Sequence, residues 1–285
     1  GTSTLQVNGG TLVLSGTNTY SGATQVTGAT LRAGGANGLS PNSVITLGAS
    51  SALDLNSFSL TVPNITGSGT IALGSATLTF GSNNNDNALS NVISGTGGSL
   101  VKQGTGTAAL SGANSFTGSV QVNGGRLVFN SSNTYAGATT LSNATLFANA
   151  ANTLSANSVV NVSTVGSTLD LNGNSNTIAN LLGNGTVTLG AATLTLGGDN
   201  GSQSFSGAIS GTGGSLVKNG TGTFTLSGNN SYNNGTQINA GTLAITTVSN
   251  IGTGGLTFGG TSTLQLGSGV NLPTLSIANG IIGTI

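Results

Sequence analysis

Nine residues, Ser94 to Lys102 (SGTGGSLVK), return unchanged as Ser210 to Lys218, an offset of 116. Leu53-Asp54-Leu55-Asn56 returns at the same offset as Leu169-Asp170-Leu171-Asn172, and Tyr20 and Tyr135 sit 115 apart in the string Asn-Thr-Tyr-x-Gly-Ala-Thr. A long block therefore occurs about two and a half times in 285 residues, over 1–114, 115–230 and an incomplete 231–285. Inside it runs a shorter period: Gly106 to Val122 aligns without gaps on Gly125 to Leu141, an offset of 19. The consensus is G-T-L-x-L-S-G-x-N-[ST]-[YF]-x-G-x-T-x-V. Such a period marks small units that cannot bury an apolar face alone and must stack on copies of themselves.

Each unit contains short alternating runs, such as Thr11–Leu14, Thr77–Phe80, Thr186–Leu189 and Thr193–Leu196. Alternation at period 2 is the signature of a half-buried strand, and no segment carries apolar residues at helical spacing. The runs end at Gly, Asn or Ser-Gly, residues suited to tight turns. They are too short for a membrane barrel, whose strands need about 9–11 residues. A propeller blade needs about 40–50 residues. A parallel β-solenoid (β-helix) fits. The expectation is an all-β chain of about 14–15 coils of 19–20 residues, forming one continuous body over 1–285. At one strand spacing per coil it would be roughly 70 Å long, with Leu, Val and Ile inward and Thr, Ser and Asn outward.

Stacking also accounts for the scarcity of charge. Only four Lys/Arg and four Asp/Glu occur, 3% of the chain, against about 25% in ordinary domains. A charge repeated in every coil would build a column of like charges, which repels. Stacked Asn and Thr instead hydrogen-bond along the column, and the 35 Asn are read as turn formers and ladders. With four cations and net charge zero, nucleic-acid binding by phosphate neutralisation is excluded. Without His or Cys, the usual metal and haem ligands, a thiol nucleophile and a His base are all missing. Zero Cys also suits passage through an oxidising compartment in an unfolded state. A hydrophobic content of 35% and a mean hydropathy of +0.22 argue against disorder. No run of 18 apolar residues offers a membrane-spanning helix.

Gly95 to Asn114 (GTGGSLVKQGTGTAALSGAN), with its second copy at Gly211 to Asn230, resembles the passenger-associated transport repeat of bacterial autotransporters. Asn18 to Thr24, followed by Gly28-Ala29-Thr30-Leu31, resembles the second half of that repeat. The resemblance implies a right-handed parallel β-helix exported to the bacterial surface and followed elsewhere by an outer-membrane barrel. It further implies repeats without catalytic residues and a role as an adhesin or surface stalk.

The residues that could carry chemistry are few. Glycoside hydrolysis needs two carboxylates about 5–9.5 Å apart, whereas the repeat offset puts roughly 29 Å between Asp54 and Asp170. Asp86 and Asp199 are read as a second pair of equivalents. Asp199 and Lys218 are expected on neighbouring coils as a solvated ion pair worth at most about 1 kcal/mol. Gly197–Gly201 and Asn83–Asn87 resemble calcium turns, but each supplies one carboxylate, so polar turns are expected. Thr-x-Thr pairs at Thr77/Thr79, Thr186/Thr188, Thr193/Thr195 and Thr223/Thr225 resemble ice-binding solenoids. The pattern breaks at Thr30-Leu31-Arg32 and Thr145-Leu146-Phe147. Tyr20, Phe116, Tyr135 and Tyr232 share one consensus slot; they are read as stacked corner aromatics and, if exposed, as the candidate contacts for a sugar or partner.

The expectation is a non-catalytic, extracellular β-helical rod, a passenger stalk or fibre subunit supporting adhesion or a biofilm matrix, with no cofactor and no metal. A polysaccharide-binding or -cleaving helix and an ice-binding solenoid are the alternatives. Expected partners are copies of itself, stacked head to tail or laterally, and surface glycans or cell surfaces. Neither nucleic acid nor membrane insertion by this segment is expected. The chain starts without Met or a signal peptide and both ends fall mid-coil, so continuing chain or head-to-tail stacking is expected at the ends.

Overall fold

The computed structural model describes residues 1–270 and 283–284. Residues 271–282 and Ile285, with the end of the third block and its mid-coil stop, lie outside the described residues. The chain divides into two compact units, Gly1–Ala138 and Thr139–Ile285. Each is a parallel β-solenoid.

In the first unit the strands stack into three parallel ladders. The long ladder contains Leu5–Val7, Thr24–Val26, Ile45–Leu47, Ile65–Gly67, Asn87–Leu89, Thr107–Leu110 and the second half of Val120–Phe129. The middle ladder contains Thr11–Leu14, Thr30–Ala33, Ala52–Asp54, Thr70–Ala72 and Ile93–Ser94. The short ladder contains Leu60–Thr61, Thr77–Phe80, Ser99–Gln103 and the first half of Val120–Phe129. Alternation sends every second side chain inward, and parallel register stacks like on like. Leu12, Leu31, Leu53, Ile71 and Ile93 thus form one column, and Leu60, Leu78, Leu100 and Val120 another. Leu31, Leu53, Ile71 and Ile93 are all fully buried. One rung of the long ladder is Gly67, at φ 115°, where a Cβ would lie 1.9 Å from the Leu47 carbonyl oxygen. Only glycine fits there.

The second unit repeats the plan. Its long ladder begins with the first half of Thr139–Ala148 and continues through Val159–Val162, Asn180–Gly183, Gln203–Phe205, Thr223–Leu226, Gly241–Ile245, Ser262–Leu266 and Gly283–Thr284. The middle ladder holds Asn176–Thr177, Thr193–Leu196, Ser215–Lys218, Thr236–Ile238 and Leu256–Phe258. The short one holds the second half of Thr139–Ala148, Thr168–Asp170, Thr186–Thr188 and Ala208–Ser210. Leu141, Val162, Gly183, Phe205, Leu226 and Ile245 run down the inner side of the long ladder.

The coil is less uniform than the repeat suggests. Paired rungs are 18 residues apart at Leu60–Leu78 and 23 apart at Thr145–Thr168. Rungs of the long ladders lie 19 to 22 residues apart, on average above the expected 19–20, and the chain makes about 13 turns rather than 14–15. Corners absorb the difference. Among the described residues, six of the eight non-glycine residues with positive φ are asparagines at such corners, including Asn56, Asn84, Asn172 and Asn200, where the short amide side chain tolerates the left-handed region. The described residues hold no α-helix; Val248–Ile251 forms one 3-10 turn.

Asparagine also works inside the coil. Residues 111–118 form no strand, so the preceding coil has only scattered partners there, such as the Ser115 N–H on the Ile93 carbonyl at 2.9 Å. The Ile93 N–H donates instead to Asn114 Oδ1 at 3.0 Å, and Asn114 Nδ2 donates to Asn133 Oδ1 at 2.7 Å. In the second unit the Ile209 N–H donates to Asn230 Oδ1 at 2.7 Å. A side-chain amide thus replaces a missing ladder carbonyl, which satisfies a buried donor.

Candidate functional site

The shared aromatic slot lies where the strand is interrupted, and its rings mostly turn inward. Phe116, Tyr135 and Tyr232 are buried. Exposure was the condition for a contact role, and these three do not meet it; Tyr20 is half-buried. The physical reason is the gap left by the missing strand, which a flat ring fills. Phe116 and Tyr135 stack with centroids 5.3 Å apart and planes 2° from parallel, and Phe129 tilts against Tyr135 at 6.1 Å. Such a pair adds about 0.5–1.5 kcal/mol beyond area burial. The Tyr20 hydroxyl bonds Thr24 Oγ1 at 2.9 Å, and the Tyr232 hydroxyl bonds Thr236 Oγ1. Burial raises the Tyr232 phenol far above its ordinary value, and the Thr236 bond pulls slightly the other way.

Each aspartate is engaged at a corner. Asp54 Oδ1 accepts the Asn56 N–H at 2.8 Å, and Asp170 Oδ1 accepts the Asn172 N–H at 2.9 Å. Both asparagines are left-handed, with φ 49° and 50°, so the Leu-Asp-Leu-Asn motif is a capped corner. Asp54 also lies one rung from Arg32, and the two form a salt bridge at 3.3 Å. Opposite charges thus occupy adjacent rungs, as the column argument requires. Asp86 and Asp199 are not equivalents. Asp86 Oδ1 accepts the Thr107 N–H at 2.7 Å, the bond that Ser202 Oγ makes to Thr223 N–H at 3.0 Å. Asp199 Oδ1 accepts the Gly201 N–H at 3.0 Å, matching Asn83 Oδ1 and the Asn85 N–H at 3.1 Å. Asp86 and Asp199 are 113 residues apart, three short of the 116-residue repeat, and so fall in different slots of the same turn.

The lysines depart furthest from expectation. Lys218 makes no solvated pair with Asp199: it is 1% exposed, as is Lys102. Each stands in an inward column, Lys102 between Phe80 and Val122, Lys218 between Leu196 and Ile238. Lys102 Nζ donates to the carbonyls of Gln103 at 3.1 Å, Gly104 at 2.8 Å and Gly124 at 3.1 Å. Lys218 Nζ donates to those of Asn219 at 2.8 Å, Gly220 at 2.8 Å and Ala240 at 3.1 Å. Burial lowers both ammonium groups below the ordinary value, and the nearby carboxylates, Asp86 and Asp199, partly restore them. The signal was present in the sequence: in Ser99-Leu100-Val101-Lys102 the lysine is in phase with the inward leucine.

The passenger-associated-transport-repeat family matches residues 6–33, 100–129, 124–146 and 216–245. A protein named Adhesin BmaC autotransporter, from Brucella suis biovar 1 (strain 1330), is 43% identical over 135 residues, which cover 45% of this chain. The matched stretch is 4% of that protein's length. No solved structure matches the chain. Four stretches of the chain are thus similar to autotransporter passenger repeats. Two of the four passenger-repeat matches open on a buried lysine as their third residue, Lys102 and Lys218.

Outside these corners, the ladders present uncharged, mostly polar rows. On the second unit Thr223, Thr242 and Thr263 stack in one row, and Ser204, Thr225, Ala244 and Gln265 in the next. A shallow groove of about 430 Å³ runs beside the middle ladder, past Thr193, Ser215, Val217, Thr236, Gln237 and Thr257. Its walls mix hydroxyls, amides and backbone with the apolar side chains of Leu216 and Val217, and carry no charged side chain. Among the described residues no three His, Cys, Asp or Glu side chains group as metal ligands do.

Proposed function

We propose that this chain is a non-catalytic stretch of an exported autotransporter passenger, held at the bacterial surface as a structural β-solenoid that carries adhesive contacts on its outward uncharged rows. The observation that carries the reading is the division of labour in each coil. Inward columns are mainly Leu, Ile, Val and Phe, outward rows are mainly Thr, Ser, Asn and Gln, and all four aspartates bond corner donors. The passenger-repeat matches and the adhesin relative support export and adhesion. Hydroxyl and amide rows suit neutral, hydrogen-bonding targets such as surface glycans. Of the four aromatic-slot residues, half-buried Tyr20 is the one placed to add a ring to such a contact.

Beads coated with the purified chain are expected to bind cell monolayers or immobilised glycans above beads coated with an unrelated protein. Tyr20→Ala should weaken retention while leaving the circular-dichroism spectrum unchanged. Retention no higher than the control would reduce the chain to a spacer. Release of reducing ends from a polysaccharide by the purified chain would overturn the non-catalytic reading.

A further inference from the structure

Lys102 and Lys218 are the only lysines in the chain, and both are sealed under the surface in the same surroundings. Each ammonium has three backbone carbonyls at 2.8–3.1 Å, two from its own coil and one from the next. Three acceptors match the three N–H bonds of a protonated amine; a neutral amine would leave one carbonyl without a donor. The space is kept open by glycine. At Gly125, φ 61°, a Cβ would stand 2.6 Å from Lys102 Nζ, and at Gly241, φ 65°, it would stand 2.6 Å from the Gly220 and Gly222 oxygens.

A second observation is independent of the bonds. Each lysine has one carboxylate in the turn of the preceding coil, yet Asp86 and Asp199 occupy different slots of that turn, the slots that Ser202 and Asn83 fill in the other copy. The negative charge is present in both copies although its position is not. We infer that each corner is a preformed ammonium-binding cradle, with the lysine as its tethered ligand, and that this internal cation pins two successive coils together.

The cradle should therefore accept an untethered ammonium of the right length. Lys102→Ala and Lys218→Ala remove three methylenes and the ammonium, the shape of n-propylammonium. Each variant should melt about 5–10 °C below the parent, since buried carbonyls lose their donors. n-Propylammonium should recover part of that loss by mass action, while tetramethylammonium, which has no N–H, should not. Lys102→Met should melt low and stay low in either salt. Equal effects of the two salts, or a Lys102→Met variant as stable as the parent, would overturn the inference. Labelling of the unmodified chain supplies a readout that needs no variant to fold. An amine-reactive ester should modify the native protein at its α-amine alone and the denatured protein at both lysines as well, as read by mass spectrometry. Native lysines that label as fast as the α-amine would also overturn it.

Discussion

At the scale of single residues, the aromatic slot shows how a motif can be visible and its purpose hidden. Tyr20 is followed at i+4 by Thr24, Tyr135 by Thr139 and Tyr232 by Thr236, whereas Phe116 is followed by Val120. A phenol comes with a hydroxyl and a bare ring with an apolar residue. The hydroxyl pairing at Tyr20 and Tyr232 follows that rule. Tyr232→Phe should cost about 1 kcal/mol, and Thr236→Val more, because it strands both the phenol and the Ile251 carbonyl that Thr236 Oγ1 also bonds. The double variant, which copies Phe116/Val120, should cost less than the sum, as a double-mutant cycle in denaturant would measure. Titration gives the same residues a signature. Tyr232 has its phenol value raised on folding, so its contribution is complete below pH 10.0 and is lost as pH climbs above it. Thermal melts across the alkaline range should show a fall above pH 10.0, and Tyr232→Phe should flatten it.

At the scale of the strand and its corner, period-2 alternation was enough to fix the strand positions and the parallel stacking. Thr77–Phe80 and Thr193–Leu196 are strands with the inward residues that the alternation names. Coil length was not legible, because a mean offset conceals corners that differ by several residues. The buried lysines were missed because charge was taken to outrank phase, although three backbone acceptors can replace water around an ammonium. Corner tolerance can be tested at the longest coil, from Thr145 to Thr168, whose tip carries Val165 at 78% exposure. A Gly-Ser pair inserted after Val165 should change the unfolding free energy by less than about 0.5 kcal/mol. One residue inserted between Leu78 and Thr79 should abolish cooperative unfolding, because it turns the rest of that strand inside out.

At the scale of the whole chain, function was less legible than fold. Composition removed nucleic-acid binding, thiol chemistry and the usual metal ligands, and the repeat motif pointed to exported passengers. The target of an outward row of Thr, Ser and Gln leaves no comparable mark, since those residues are also ordinary strand formers. Sparse charge now has a structural account: the aspartates hold corners, Arg32 faces Asp54 across one rung, and both lysines lie inside. That last arrangement bears on survival outside a cell. Trypsin-like proteases must draw a Lys or Arg side chain into a deep pocket, and this chain offers only four such residues. Two of them can be reached only by prising successive coils apart, so cleavage there has to wait for local unfolding. In native digests, trypsin should leave the Lys102 and Lys218 bonds uncut long after the same enzyme has fragmented the denatured chain. The residues that pin the coils would then also deny digestive enzymes their footholds.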